Sequence, residues 1–352
     1  MRLERRERAP GWLLLAAPAG ALLFTLAVTS VLVAWAGAPV GRAYALLLEG
    51  GFGSRFAWTE TLTRATPLIF SGLAAAVAFR ARLFNIGGEG QLYAGALAAV
   101  AVGGLHGGTG FDAPAWLLLP GMMLAAAAVG ALLLLGPALA KSRLGVDEVV
   151  TTLLLNFIVL LGVSALLDGA MKDPTAMGWP QSVAIQDPLQ LDRLIERSRV
   201  HSGLVGALVA ALLLWGLLGR STLGFEIRAV GANARAAAFA GMPVGAVQVK
   251  VALLSGALAG LAGAVEVAGR AGYVTLDMAT GTGYSGIVIA MLAALHPLGV
   301  VAAAVFIAGL LVGADSMSRA VNVPTYIADV IVAVALIAVL VATMLTQYRI
   351  RR

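Results

Sequence analysis

The sequence predicts an all-α, polytopic membrane protein with about ten transmembrane helices, and two observations carry that prediction. Hydrophobic residues make up 60% of the 352-residue chain and charged residues only 12%, the balance of a chain solvated mainly by lipid. Its Leu/Ala/Val runs are apolar on every face, whereas transmembrane barrels alternate apolar with polar side chains. About 20 such residues cross the roughly 30 Å hydrocarbon core as one helix.

Taken in order, the basic start MRLERRERAP resembles the head of a signal peptide. The apolar stretch behind it, Trp12 to Trp35, is too long for a cleaved signal and reads as a retained first helix. Spans are expected at 11–36, 60–79, 85–104, 114–140, 148–168, 203–219, 247–268, 283–295, 298–314 and 326–346. The two segments flanking His296-Pro297 are short, and one interrupted hairpin is the alternative there. With residues 1–10 in the cytoplasm, the inner segments collect fifteen of the 24 Lys and Arg residues. That bias puts both termini inside and requires an even number of spans.

Two outer segments exceed a hairpin: 37–59, and 169–202 with its mixed-charge run LDRLIERSR. A short surface helix is expected at 189–198, either as a solvated cap or as a docking surface for an external protein. The largest inner segment, 220–246, contains the alanine-rich stretch Asn233–Ala240, which favours a short helix. Asn233 is its expected N-cap, and Gly241 and Pro243 stop it. Phe239 and Met242 are apolar residues on this inner loop, suited to a partner's groove or to the membrane surface.

Composition also excludes. The chain has no cysteine and three widely separated histidines, His106, His201 and His296, so no metal site or cofactor is expected. Its basic residues follow membrane orientation, and nucleic acid is not an expected partner.

The densest polar cluster within an apolar span is FNIGGEGQ at 84–91. Asn85, Glu89 and Gln91 stand there among three glycines, and an ionisable side chain inside a bilayer is a functional lead. The alternative for Glu89 is a structural pair with Arg80 or Arg82; the glycines suit helix packing equally. Asp147 and Glu148 open the fifth span as helix caps. Asn156 lies nine residues beyond Asp147, about 13.5 Å up the helix and so near mid-membrane. It serves either a neighbouring helix or a passing solute. An inverted repeat of helices 2–5 and 7–10 pairs NIGGEG at 85–90 with TGTGYSG at 280–286, two glycine-interrupted helix starts. In the second, Tyr284 and Ser285 offer a ring and a hydroxyl, or simply pack. Glu266, near the outer end of the seventh span, is expected to snorkel to the interface.

Three motifs resemble the permease subunits of ATP-binding-cassette importers for simple sugars and nucleosides. They are FNIGGEGQ at 84–91, GVDEVVTTLLLN at 145–156 and GFEIRAVGANARAAAFAGMPV at 224–244, followed by LSGALAGLAGAVEVAG at 254–269. The resemblance extends from about 60 to 345, and AMLAALHPLG at 290–299 is a looser match. It implies a single permease domain over 1–352 in the bacterial cytoplasmic membrane, forming a path for a nucleoside, purine-like base or simple sugar. It also implies three protein partners: a cytoplasmic ATPase, a second permease chain (different or identical) and an extracytoplasmic binding protein. Substrate-path candidates are Asn85, Glu89, Gln91, Asn156, Tyr284 and Ser285. ATPase-coupling candidates are Gly231, Asn233, Ala237, Phe239 and Gly241 within the 220–246 segment.

The chain has no GxxxxGK[ST] phosphate loop, so ATP hydrolysis is assigned to the partner and no enzymatic activity to this chain. A rival reading is an ion-gradient-driven secondary carrier, which needs a buried carboxylate such as Glu89 to bind the ion. An intramembrane enzyme needs a catalytic constellation such as HExxH, which the sequence lacks.

Overall fold

Proline and glycine punctuate the apolar runs into thirteen helices among the described residues, which in this computed structural model are 2–5, 11–104, 114–322 and 324–351. His106, Arg6, Arg8 and Arg352 fall outside them. In chain order the elements begin with β1 (Arg2–Arg5), α1 (Gly11–Trp35), α2 (Val40–Phe52), α3 (Arg55–Arg80) and α4 (Gly88–Gly103). Next come α5 (Ala115–Leu144), α6 (Glu148–Asp168), α7 (Gly203–Arg220), α8 (Thr222–Ala232), α9 (Ala234–Phe239) and α10 (Val244–Glu266). The chain closes with α11 (Thr282–Leu292), α12 (Pro297–Val321), α13 (Thr325–Gln347) and β2 (Tyr348–Arg351).

Among the described residues six helices, α3, α5, α6, α7, α12 and α10 with its extension to Ala271, are long and apolar enough to cross a membrane. The α1–α2 pair, bent by 115°, makes a seventh if counted as one span. The molecule is thus a multi-pass membrane protein, but length and composition support fewer crossings than the ten expected. Two of the expected spans are short because glycines interrupt them. The 16 residues of α4 rise about 24 Å and the 11 of α11 about 16 Å, both under the hydrocarbon thickness.

The chain divides into two compact units, 1–61 with 305–352, and 62–304. In the first, β1 and β2 pair antiparallel, Arg2 opposite Arg351, bringing the two ends of the chain together. Residues 40–52, expected as loop, form α2. Its Tyr44 hydroxyl donates to the Leu26 carbonyl at 2.9 Å and contacts the Thr29 hydroxyl at 2.6 Å, tying α2 to α1.

The second unit is built on α4, α5 and α10, which approach backbone to backbone. A Cβ added at Gly95, Gly130 or Gly263 would lie 2.4 Å from the Gly260 oxygen, 2.2 Å from the Gly256 oxygen or 1.9 Å from the Leu92 oxygen. Without a large hydrophobic drive between helices in lipid, such close dispersion contact holds them together. By contrast, α6 is mostly uncovered, with Leu154, Phe157, Ile158 and Leu161 exposed. The division at His296-Pro297 is real: α11 stops at Leu292, Ala294 and Leu295 take left-handed φ of 49° and 60°, and Pro297 opens α12.

The segment 169–202 holds a 3-10 turn at Asp187–Leu189, and the surface helix expected at 189–198 is not formed. The segment instead bonds its backbone to the end of α10 and the turn beyond it. Ser182 donates to Val274 at 2.9 Å, Ile185 to Gly272 at 2.8 Å and Leu191 to Ala268 at 2.8 Å. These bonds hold Ile185 and Leu189 fully buried, competing successfully with local helix formation. His201 is buried beside them, its ring filling space left by Gly203 and Gly269. Its Nδ1 has no hydrogen-bond partner among the described residues. Burial, and secondarily the Arg270 charge, lowers the imidazole pKa to about 4.

Glu266 does not snorkel. It is 2% exposed at the end of α10, where the chain widens into a π-helical turn over Val267–Ala271, and it pairs with Arg270 one turn on. Arg270 also donates to the Met278 carbonyl at 2.6 Å. A buried carboxylate needs such a partner more than it needs water at a distance.

Candidate functional site

Helix starts leave their first N–H groups without intrahelical acceptors, and glycines there let other groups come close. The glycine-rich starts of α4 and α11 meet in the second unit. A Cβ on Gly283 would stand 2.2 Å from the Glu89 nitrogen, so the two backbones touch only because residue 283 is glycine.

Side chains from neighbouring helices satisfy both starts. Glu89, in the first turn of α4 and 3% exposed, accepts from the Gly281 and Gly283 N–H groups, one at each carboxylate oxygen and both at 2.6 Å. The positive end of the α11 dipole therefore faces a carboxylate. Arg80 and Arg82, the expected alternative partners, do not take it. Asn156 of α6, 1% exposed, accepts from the Gly90 N–H of α4 through Oδ1. It donates through Nδ2 to the Tyr284 hydroxyl of α11 at 2.5 Å. The contacts close a ring: α6 to α4 through Asn156, α4 to α11 through Glu89, and α11 back to α6 through Tyr284.

A second network lies alongside. Asn85 and Gln91 exchange paired amide hydrogen bonds, each 2.9 Å. Asn85 also donates to Ser255 at 3.2 Å, and Ser255 to the Ala74 carbonyl at 2.8 Å. Asn85 and Gln91 are 3% and 2% exposed, so they brace α3, α4 and α10 from within. Tyr284 differs, with 38% of its surface exposed. Ser285 is half-buried and joins neither network: its N–H donates to Gly281 at 2.8 Å within the first turn, and its side chain makes no hydrogen bond among the described residues.

Sequence reasoning missed Ser255, Thr152 and Tyr93. Thr152 accepts from the Ile86 N–H at 3.2 Å, and it sits four residues before Asn156 on the same helical face, a spacing that was available as a signal. Tyr93 donates to the Leu276 carbonyl at 2.6 Å and accepts from Ala279 at 3.3 Å, holding the loop before α11. Ser255 looked like one more small residue in a packing stripe.

At the start of α6, Asp147 caps the helix as expected, accepting from Val149 at 2.8 Å and Val150 at 3.4 Å. Glu148 does something else. It is buried, pairs with Lys141 and accepts from Phe84 at 3.3 Å, linking α5, α6 and the turn before α4.

The 220–246 segment folds as two helices, α8 and α9. Asn233 caps α9, its Oδ1 accepting from Arg235 at 3.0 Å and Ala236 at 3.1 Å. Gly241, with φ +82°, ends it. Ala237 is buried, while Phe239 is 97% exposed. Gly231, near the end of α8, packs on the last turn of α3, where an added Cβ would lie 1.9 Å from the Arg80 oxygen. Beside them Gly219, Ser221, Phe225, Glu226 and Met242 line an open groove of about 530 Å³.

Residues 57–340 match the family described as the permease component of branched-chain amino acid transport systems. The guanosine ABC transporter permease protein NupP of Bacillus subtilis is 38% identical over 92% of both chains. The glucose ABC transporter permease protein TsgB13 of Haloferax volcanii is 36% identical over 99% of this chain and 93% of its own. The nucleoside ABC transporter permease protein NupB of Lactococcus lactis is 30% identical over 82% and 80%. With most of its length matched to this family and to nucleoside and sugar relatives, the chain belongs to the membrane-spanning permease subunits of ABC transporters.

Proposed function

We propose that this chain forms part of the import path for a nucleoside or purine-like base, in a cytoplasmic membrane, and is driven by a separate ATPase. The observation that carries the reading is kinship along nearly the whole chain with permeases named for guanosine, nucleosides and glucose. A simple sugar is the second substrate class that this kinship supports. A binding protein delivers the solute to the outer face, and a second permease chain completes the path.

The inner segment 220–246 receives the motion of the ATPase. Support for this comes from α9, a capped helix presenting an uncovered Phe239 beside a groove, with Gly231 seated on the backbone of α3. Movement of α9 is thereby passed through α8, which carries Gly231, to the backbone of α3.

The secondary-carrier reading loses its main support. Both Glu89 oxygens already accept backbone N–H groups of Gly281 and Gly283, so the carboxylate has a structural role that does not call for a coupling ion. The decisive experiment is uptake into proteoliposomes. With the co-purifying ATPase, ATP and binding protein, uptake of radiolabelled guanosine is expected; the chain alone under a proton or Na⁺ gradient should accumulate none. Uphill accumulation by the chain alone would overturn the reading.

A further inference from the structure

From the ring of α4, α6 and α11 we infer that Asn156 fixes the hydrogen-bonding polarity of Tyr284, making this exposed phenol a donor to an acceptor atom on the solute. This rests on the substrate reading above and adds a recognition rule to it.

The argument is one of forced hydrogen-bond direction. The Gly90 N–H is a first-turn donor of α4 and nothing else, so the Asn156 atom facing it must be the carbonyl oxygen. The other end of the same side chain is then the NH₂ group, which only donates. It meets the Tyr284 oxygen at 2.5 Å, so that oxygen must accept. The phenolic hydrogen has no acceptor among the described residues and is left to turn outward. Asn156 is 1% exposed and Tyr284 is 38% exposed, so the buried residue sets the direction and the exposed one carries it to the surface. Glu89 anchors the first turn of α11, on which Tyr284 stands, through Gly281 and Gly283. Asn156 is accordingly a positioning residue, and Tyr284 a specificity-determining one. A purine suits this surface: its ring stacks on the phenol while a ring nitrogen or carbonyl takes the hydrogen.

Two near-isosteric changes test the direction. Tyr284→Phe keeps the ring and removes the donor. Asn156→Asp replaces the NH₂ with a second acceptor, which captures the phenolic hydrogen and turns the tyrosine lone pairs outward.

Competition and uptake are measured in nucleoside-uptake-deficient cells carrying the complete transporter. The probes are inosine and three analogues: 7-deazainosine, which lacks the N7 acceptor, 3-deazainosine, which lacks the N3 acceptor, and purine riboside, which lacks the O6 acceptor and turns the N1–H donor into an acceptor. ATPase co-purification and membrane levels report assembly. Wild type is expected to disfavour one analogue by about three- to tenfold, the worth of one neutral hydrogen bond. Both variants should assemble and lose that discrimination while treating the other analogues as wild type does.

A uniform drop across all four probes, or preserved discrimination in Tyr284→Phe, overturns the inference. If Asn156→Asp fails to assemble, Tyr284→Phe alone decides. If wild type takes up none of the purine ribosides, the substrate reading falls and this inference falls with it.

Discussion

The start of α11 and the start of α9 solve one problem in two ways. Each is a helix N-terminus whose orphan N–H groups need acceptors. At α9 the acceptor is Asn233, two and three residues before its donors, and the helix stands exposed. At α11 the acceptor is Glu89, 192 and 194 residues before its donors, and the junction is buried. A locally capped helix carries its cap with it when it moves, whereas one capped from across the fold binds its neighbours together. The first suits a surface that must follow a partner; the second suits a path whose helices must keep register.

The predictions probe that contrast, beginning with the largest effect. Gly283→Ala puts a Cβ into the Glu89 backbone, and neither helix can yield without breaking the other contacts. Detergent-extractable, monodisperse protein should be nearly lost; normal yield would mean that the two starts are not in contact. Glu89→Ala should leave two buried N–H groups unsatisfied, at roughly 2–5 kcal/mol, read as a large drop in Tm. Glu89→Gln, which keeps one acceptor, should fall between. An unchanged Tm for Glu89→Ala would remove the clasp.

A pH scan tests burial in the 169–202 segment. Because the folded His201 pKa, about 4, lies below its ordinary 6.5, the unfolded chain binds more protons between those values. Tm should therefore be highest above pH 6.5 and fall as pH drops toward 4, and His201→Phe should flatten this slope. An equal slope in the variant would assign the acid sensitivity to other groups.

At α9 the effects on stability are smaller. Asn233→Ala should cost about 1 kcal/mol while separating ATP hydrolysis from uptake in the assembled transporter; Asn233→Asp, which keeps the cap, should restore coupling. Phe239→Ala should change stability by less than about 0.5 kcal/mol yet lower ATP-driven uptake. Wild-type uptake in both alanine variants would detach α9 from energy coupling.

The same contrast explains what was legible. The Asn233 cap, the Gly241 stop and the Asp147 cap are neighbours of the groups they serve, so residue types and spacing reveal them. Glu89 was recognisable as unusual, but its partners lie far along the chain, and the nearby arginines were the natural wrong choice. Glu266 looked close enough to the interface to reach water, yet the π-helical turn keeps Arg270 within its reach. The mixed-charge run LDRLIERSR suggested a helix, but Leu191 bonds instead to Ala268 beyond α10, and Leu194 and Ser202 bond to Val200 and Asp192 across a local turn.

By itself, the order of residues determined that this chain is helical and membrane-embedded, and where its short helices begin, because hydropathy, alanine, glycine and capping act within a few residues. Tertiary structure alone decided that the starts of α4 and α11 meet, and that Glu89 clasps one and Asn156 the other. Those outcomes depend on backbone approach and hydrogen-bond direction between segments up to about 190 residues apart, where no periodicity in the sequence carries information.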